Sequence, residues 1–307
     1  MNRIRSAVAM GMIGALALGA CGSDEEAADT TVAAAKTITV AGANFPESQI
    51  LAEIYAQALE NSGVRIARKD PLGARELYYQ ALLNNEVQLM PEYTNSLLSH
   101  VLKQDGADKS PTATNVDEQL AELKAALPTT LTVGAPSSAE DKDVIVCNAA
   151  AVEEHSLATL SDLFAVADQI TLGGPPELEG RSPFGLKGFK DDFDADFKEF
   201  VPLDSGLIAE SIASDAIDCG SMFSTASSIT TEGLITLEDD QKIVPNEAVL
   251  PIIRTDVATP EVMGVLDQVS AGLTTDILKS LIVKVEIDKQ SPSEVAKAYL
   301  ASVSQGG

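Results

Sequence analysis

The sequence is poor in aromatic, basic and histidine residues, and the shortage of positive charge excludes one class of function. It contains no tryptophan, two histidines, and 21 lysine and arginine residues against 46 aspartate and glutamate residues, which gives a formal net charge of −25. A nucleic-acid-binding surface needs lysine and arginine to displace the counterions of the phosphates, so this charge argues against one. The same charge suits an extracytoplasmic protein whose ligands are cationic.

Common catalytic motifs are also missing. There is no GxxxxGK[ST], HExxH, CxxC or GxSxG sequence. The two histidines, His100 and His155, lie outside the loops that we assign to a ligand site below, and a paired-acid glycosidase would line its sugar site with more aromatic residues than 4%. The acidic run at 190–200 lacks the glycine and the twelfth-position glutamate of a calcium loop. We therefore expect no catalytic residues, no metal and no cofactor.

The start of the chain reads as a targeting segment. Arg3 and Arg5 precede a short apolar run at 7–19, which ends in Leu-Gly-Ala before Cys21. This is typical of a bacterial lipoprotein signal, with cleavage before Cys21 and lipidation of its thiol; an ordinary secretory signal is the alternative. No later apolar run reaches the ~20 residues of a membrane span. We predict a signal peptide at 1–20, a flexible tether at 21–36 and a lipid anchor on the outer face of the cell membrane.

Only two cysteines remain once Cys21 is assigned to the anchor. Cys147 and Cys219 each lie in a strand-like run, "VIVC" and "IDCGSMF". In an oxidising compartment two cysteines favour a disulfide over a metal site, which needs more ligands. Two separate buried thiols are the alternative. We predict a Cys147–Cys219 disulfide.

An internal repeat organises the rest of the chain. "ITVAG" at Ile38 corresponds to "ITLGG" at Ile170, and the segment at 70–87 corresponds to that at 201–217, each with a Pro-Leu turn and an amphipathic helix. "VQLMPEYT" then corresponds to "IDCGSMFST", which places Tyr93 and Phe223 at equivalent positions. The order of strand, turn, helix and strand therefore occurs twice.

This repeat predicts an α/β protein with two βαβ lobes joined by two crossing segments. We place the first lobe at 37–140 plus 252–307, including three C-terminal helices, and the second lobe at 141–251. Ligands of such sheets bind outside the carboxyl ends of the strands, so the strand-end loops of both lobes should surround one cleft. Those loops contain Asn44, Tyr93, Thr94, Phe223 and Ser224, and the two rings should meet across the cleft. Two crossings form a hinge that closes around a ligand.

Several segments together resemble a known family. "NFPESQILAEIYAQALENSG", "LGARELYYQALLNNEVQLMPEYTNSLL", "GLKGFKDDF", "FKEFVPLDSGL", "MFSTASSITTEGLITLEDD" and "SPSEVAKAYL" are similar to the substrate-binding proteins of ABC importers for glycine betaine, choline and related quaternary amines. The likeness runs from about Ile38 to Leu300. It implies a type II periplasmic-binding-protein fold that captures a ligand outside the membrane and delivers it to a permease and its ATPase.

The resemblance also implies a site, an aromatic cage for a trimethylammonium group. Tyr93 matches one cage tyrosine and Phe223 occupies another cage position, whereas two further cage positions fall at or near Asp143 and Glu247. Two rings and two carboxylates suit a cation that carries N–H donors and disfavour a ligand carboxylate. Solvation at the surface is the alternative for both acids, and packing in the core is the alternative for Tyr93.

The sequence therefore favours a monomeric, lipid-anchored binding protein over an enzyme. A secreted lipoprotein hydrolase is the first alternative. A lipoprotein that presents a ligand to a receptor is the second.

Overall fold

The computed structural model describes residues 36–104, 111–113 and 115–304. The predicted signal peptide, the predicted lipidation site Cys21 and almost all of the predicted tether lie outside the described residues. Within them the strands are β1 (Ile38–Val40), β2 (Ile66–Arg68), β3 (Leu89–Tyr93), β4 (Leu131–Val133), β5 (Asp143–Cys147), β6 (Thr171–Gly174), β7 (Glu199–Pro202), β8 (Cys219–Phe223), β9 (Ile235–Thr236) and β10 (Val249–Arg254).

Helices cover most of the remaining described chain. They are α1 (Pro46–Asn61), α2 (Arg75–Leu83), α3 (Thr94–Lys103), α4 (Val116–Ala126), α5 (Ala149–His155), α6 (Leu160–Ala165), α7 (Leu186–Phe193), α8 (Ser205–Ala213), α9 (Ser227–Thr231), α10 (Pro260–Gly272), α11 (Thr275–Glu286) and α12 (Pro292–Ser304). Two short 3₁₀ helices lie between α6 and α7, at Ala167–Gln169 and Pro176–Gly180. None of the helices in the described residues has both the length and the apolar character of a membrane span.

The strands form two mixed sheets, and each sheet defines a lobe. The first lobe has the order β2-β1-β3-β10-β4 and the second has β7-β6-β8-β5-β9. In each, three consecutive strands pair in parallel through helical crossovers, and one strand from the crossing region pairs antiparallel with the third. Helices α10, α11 and α12 pack against α1 of the first lobe, as predicted.

The internal repeat holds at the level of single hydrogen bonds. Helices α2 and α8 both have nine residues, and each is followed by a residue with positive φ, Asn85 at 62° and Asp215 at 59°. The side chain of Gln88 accepts a hydrogen bond from the amide of Thr39 at 2.8 Å. That of Asp218 accepts one from Thr171 at 2.7 Å. In both lobes, therefore, a side chain just before the third parallel strand (β3 or β8) accepts a hydrogen bond from the backbone of the first (β1 or β6).

Two prolines lie opposite each other in the middle of the first sheet. Pro91 on β3 faces Pro251 on β10. Thr94 and Ala248 form a hydrogen-bonded pair of this antiparallel ladder, since the amide of Thr94 donates to the carbonyl of Ala248 at 3.0 Å. Hydrogen-bonded and non-hydrogen-bonded pairs alternate along such a ladder, so Pro91 and Pro251, three positions away, form a non-hydrogen-bonded pair that exchanges no N–H groups. The last ladder pair between β1 and β3 is Val40 with Leu89, so the missing N–H of Pro91 lies beyond that ladder.

The two crossing segments run side by side between the lobes. Val249 donates to Ala139 at 2.9 Å and Asp141 donates to Glu247 at 3.2 Å. The predicted lobe boundary after residue 251 is wrong, because β10 pairs along its whole length with β3 and β4 of the first lobe. Strand β10 begins at Val249, inside the segment that the sequence shows only as a return crossing, and the sequence alone does not show where a crossing becomes a paired strand.

A disulfide joins the two antiparallel strands of the second lobe. Cys147 and Cys219 are direct partners in the register of β5 and β8, and their sulfur atoms are 2.02 Å apart. Both residues are fully buried in the core of that lobe. The bond therefore ties the crossing strand to the strand that ends at Phe223.

Candidate functional site

Tyr93 ends β3 with its ring packed and its hydroxyl bonded. The residue is 9% exposed and belongs to the core that includes Tyr55 and Val249. Its hydroxyl donates a hydrogen bond to Oε1 of Glu47. Packing in the core was the alternative that the sequence left for Tyr93, and the ring is packed there in this conformation. Its hydroxyl contacts a polar group, the carboxylate of Glu47.

Glu47 is buried at the first turn of α1. It is 4% exposed, and its Oε2 atom has no hydrogen-bond partner among the described residues. Helix α1 begins with Pro46, has no side-chain cap, and its unpaired N–H groups attract an acidic residue there. Burial, and secondarily the negative charge of Asp141, raise the pKa of Glu47 to about 8.

Asp141 connects the crossing segment to the end of β8. Its Oδ1 atom accepts hydrogen bonds from the hydroxyl of Thr225 at 2.8 Å, from the amide of Thr225 at 3.3 Å and from the hydroxyl of Ser224 at 3.4 Å. Burial outweighs these bonds and raises the pKa of Asp141 to about 6. The predicted site residue Ser224 therefore lies beside Asp141, and its oxygen also accepts from the amide of Lys142 at 3.1 Å.

A third acid links the lobes nearby. Glu286, at the end of α11 of the first lobe, accepts a hydrogen bond from the hydroxyl of Ser227 in α9 of the second lobe, and its charge also raises the pKa of Glu47. We call Glu47, Asp141 and Glu286 the acidic cluster. Among the described residues none of the three forms an ion pair with lysine or arginine.

Phe223 and Asp143 are direct partners at the ends of β8 and β5. Phe223 is 56% exposed, and no ring contact joins it to Tyr93 among the described residues. In this conformation the two rings do not meet. Asp143 is not merely solvated, since Nη2 of Arg181 lies 2.5 Å from its Oδ2.

Glu247 and Thr94 serve the backbone around α3. Glu247 accepts hydrogen bonds from the amide of Ser96 at 3.1 Å and from its hydroxyl at 2.6 Å, which satisfies the first turn of the helix, and burial raises its pKa to about 7. Thr94 is fully buried and its hydroxyl donates to Gln119 and accepts from Ala248. In this conformation the Thr94 side chain is enclosed by neighbouring residues, and its assignment to the ligand wall stays a prediction.

Sequence reasoning missed Glu47, Asp141 and Arg181. Asn44 is an exposed residue three positions before Glu47, so the predicted site residue and the buried carboxyl are neighbours in the chain. An acid in the first turn of a helix is common, and Asp141 is one of several charges in "SAEDKD". Neither carried a signal that separates it from ordinary surface charge.

A second buried polar network lies in the first lobe. Arg75 donates to both carboxylate oxygens of Glu92, at 2.9 and 3.1 Å, and the hydroxyl of Tyr78 donates to Glu92 at 2.8 Å. Glu92 is completely buried, and this network answers its charge with a bidentate arginine. Glu92 of "PEYT" is therefore a structural residue.

A separate groove lies on the first lobe. It encloses about 200 Å³ between α1, β2 and the start of α12, with Arg68 and Ser293 in its wall. Tyr93 and Phe223 are not among its lining residues. This groove is therefore not the predicted ligand site.

The fold and the sequence both match known proteins. Residues 36–302 match the family described as the substrate binding domain of ABC-type glycine betaine transport systems. The chain belongs to this family. It is 24% identical over 270 residues to the carnitine transport binding protein OpuCC of Listeria monocytogenes serotype 1/2a (strain 10403S), covering 86% of each chain. It is also 24% identical over 319 residues to the glycine-betaine-binding protein of Pseudomonas aeruginosa (strain PAO1), covering 98% of this chain and 94% of that protein.

A solved structure supports the fold. The crystal structure of a glycine betaine/carnitine/choline ABC transporter protein superimposes with a TM-score of 0.78 at 19% identity, covering 86% of this chain and 98% of that one. The predicted type II periplasmic-binding-protein fold is confirmed. This family member is a substrate-binding protein of an ABC importer, and the hydrolase alternative finds no support.

Proposed function

We propose that this chain binds a small cationic amine between its two lobes and delivers it to the permease and ATPase subunits of an ABC importer. The observation that carries the proposal is the acidic cluster, which gathers three carboxylates at the junction of the lobes without a lysine or arginine ion pair among the described residues. Carboxyl groups that no lysine or arginine neutralises favour a bound cation at low dielectric, and a bound cation in turn stabilises their ionised forms. The relatives that bind carnitine and glycine betaine support the same ligand class.

Rings near the strand ends complete the proposed site. The exposed face of Phe223 can hold an ammonium group, at roughly 0.5–2 kcal/mol for a cation–π contact. The hydroxyl of Tyr93 orients Glu47, and Asn44 and Ser224 offer polar groups beside them. Because these residues come from both lobes, ligand binding favours the conformation in which the lobes approach each other.

Arg181 changes the expected preference for ligand charge. Asp143 and Glu247 were expected to repel a ligand carboxylate, but Asp143 is paired with Arg181 and Glu247 is held by Ser96. The Arg181 side chain is 41% exposed and retains N–H groups that can bind a carboxylate. We therefore propose that the site accepts zwitterions as well as simple cations.

The remaining features of the proposal come from the sequence. Cys21 carries the lipid that holds the protein at the outer face of the membrane, and residues 22–36 tether it. The protein acts as a monomer, without catalytic residues or a cofactor. The first lobe comprises residues 37–140 and the C-terminal part from β10 onward. The second lobe comprises the residues from 141 to the start of β10.

The test is calorimetric titration of the purified full chain with glycine betaine, choline, carnitine, putrescine, spermidine and a set of amino acids. We expect a member of the amine group to bind with micromolar or tighter affinity, and Phe223→Ala to weaken that binding by about 1–2 kcal/mol. Val303→Ala is the matched control, because Val303 is a similarly exposed apolar residue on α12. Binding of none of these amines would contradict the proposal.

The receptor alternative needs a separate measurement. The chain is mixed with its permease and ATPase subunits in proteoliposomes, and ATP hydrolysis is measured with and without the ligand. Stimulation by the liganded chain supports import. Ligand binding without any stimulation would favour the receptor function.

A further inference from the structure

In its ionised form, which a bound cation stabilises, Glu47 presents an acceptor that no described residue satisfies. Its Oε1 atom takes the hydrogen bond of Tyr93, whereas its Oε2 atom is buried without a partner, in a residue that is only 4% exposed. The hydroxyl of Thr225 lies near Glu47, but it donates its one proton to Asp141. A buried polar atom without a hydrogen bond is costly and therefore rare. A group that supplies a hydrogen-bond donor at this point would relieve the cost.

Asp141 offers a second acceptor on the side of the crossing segment. All three of its hydrogen bonds reach Oδ1, from Thr225 and Ser224, so Oδ2 has no hydrogen-bond partner among the described residues. Unlike Glu47, Asp141 is only partly buried, and it interacts with Glu47 through its charge. The two carboxylates therefore offer one enclosed and one more accessible oxygen at the junction of the lobes.

A metal ion does not fit this arrangement. In the described residues no three histidine, cysteine, aspartate or glutamate side chains are grouped so that they could hold a metal. Lysine and arginine form no ion pair with either carboxylate there. The donor that suits two such acceptors is the N–H group of an ammonium ion.

We propose that Glu47 and Asp141 form a carboxylate subsite that accepts N–H hydrogen bonds from the ligand, so that the preferred ligands are primary, secondary or tertiary ammonium ions and not fully methylated ones. This inference rests on the proposed function and names its ligand class. A quaternary ammonium ion has no N–H group and would leave Oε2 of Glu47 unsatisfied. It is best held by several ring faces, and the two positions Asp143 and Glu247 supply none.

Two matched pairs of ligands test the subsite. Choline is compared with N,N-dimethylethanolamine, and glycine betaine with N,N-dimethylglycine, by titration calorimetry on the full chain. Within each pair one methyl group is replaced by one N–H, and the first pair carries no carboxylate. We expect the N–H-bearing member of each pair to bind about tenfold more tightly, the factor of one hydrogen bond to a charged group. A site made of rings alone would favour the methylated member, because that ion is easier to desolvate.

Variants then assign the preference to the carboxylate. Glu47→Gln should reduce the ratio of the two affinities to near one, because the charge is lost while the shape is kept. Glu53→Gln is the control on the same helix, since Glu53 is paired with Arg68 at the surface, and it should leave the ratio unchanged. If Glu47→Gln fails to fold in a thermal unfolding assay, Asp141→Asn gives the same comparison.

The outcomes separate the two proposals. An N–H preference that Glu47→Gln or Asp141→Asn removes supports the subsite. Equal or reversed affinities, or a preference that survives both substitutions, overturn the subsite and leave the proposed function standing. Binding of neither pair, nor of carnitine or a polyamine, overturns both.

Discussion

The ring of Tyr93 shows how one residue can serve the core and the site together. Its ring packs within the first lobe and its hydroxyl donates to Glu47. We expect Tyr93→Ala to destabilise the fold by about 3–5 kcal/mol, the usual cost of deleting a buried ring. A ring in an open cleft, where the sequence placed it, would contribute little to stability.

Tyr93→Phe separates the two roles. It keeps the packed ring and removes the hydroxyl that donates to Glu47, so the loss should be about 1–3 kcal/mol. Urea unfolding measures the loss of stability of both variants, and the loss for Tyr93→Ala should be the larger. A loss below about 1 kcal/mol for Tyr93→Ala would show that the ring is not part of the core.

The buried carboxyls predict how stability depends on pH. Glu47 and Glu247 have pKa values raised to about 8 and about 7, and Asp141 to about 6, mainly by burial. A group whose pKa is higher in the folded state binds more protons there, so stability is largest below the unfolded-state pKa and falls as pH rises through the folded value. These groups should therefore lower stability by a few kcal/mol between about pH 4 and pH 8.

Glu47→Gln tests the largest of these contributions. Because glutamine does not titrate, the variant should lose less stability than the parent between pH 5 and pH 8. The measurement is the urea midpoint across this range, at constant ionic strength. Parallel pH profiles of parent and variant would show that Glu47 does not titrate in this window.

Asp143 and Arg181 predict a change in ligand preference. Asp143→Asn removes the carboxylate that pairs with Arg181 and frees the guanidinium for a ligand carboxylate. We expect glycine betaine to bind more tightly relative to choline by about three- to tenfold. This factor corresponds to part of the free energy of one charge-assisted hydrogen bond. Titration of both ligands into the parent and the variant measures the ratio; an unchanged ratio would place Arg181 away from the ligand.

At the scale of elements, the disulfide couples two strands that also carry site residues. Cys147 and Cys219 are register partners on β5 and β8, 72 residues apart in the sequence, and β8 ends at Phe223. In the chain-entropy model a loop of this length stabilises by about 4 kcal/mol. The variant with both cysteines changed to serine should lose a comparable amount.

Thiol titration checks the bond directly. In the Cys21→Ser background only Cys147 and Cys219 remain, so the unfolded, non-reduced protein should show no free thiol and the reduced protein should show two. Two free thiols without reduction would contradict the bond.

Repetition of elements made much of the fold predictable. Helices α2 and α8, strands β3 and β8, and the capping of α12 by Ser291 and Glu294 all follow from local patterns. The lobe boundary at β10 did not, because pairing partners decide where a strand begins. Local periodicity does not contain that information.

At the scale of the whole molecule, we predict that the position of the protein in the cell depends on Cys21, which lies outside the described residues. Cys21→Ser should move the protein from the membrane fraction to the supernatant, since lipid chains are required for stable attachment. Fractionation of cells that produce the parent and the variant measures this. A variant that stays in the membrane fraction would contradict lipid anchoring.

The sequence by itself determined the family, the two-lobed α/β plan and the correspondence of strand β3 with strand β8, because these depend on periodicity and on an internal repeat. Tertiary structure alone decided the polar contacts at the junction of the lobes. Glu47, Asp141 and Glu286 are far apart in the chain and look like ordinary surface acids in it. Only the fold removes Glu47 from water and brings the other two charges near it, since burial and electrostatic coupling are properties of assembled neighbours rather than of residue type.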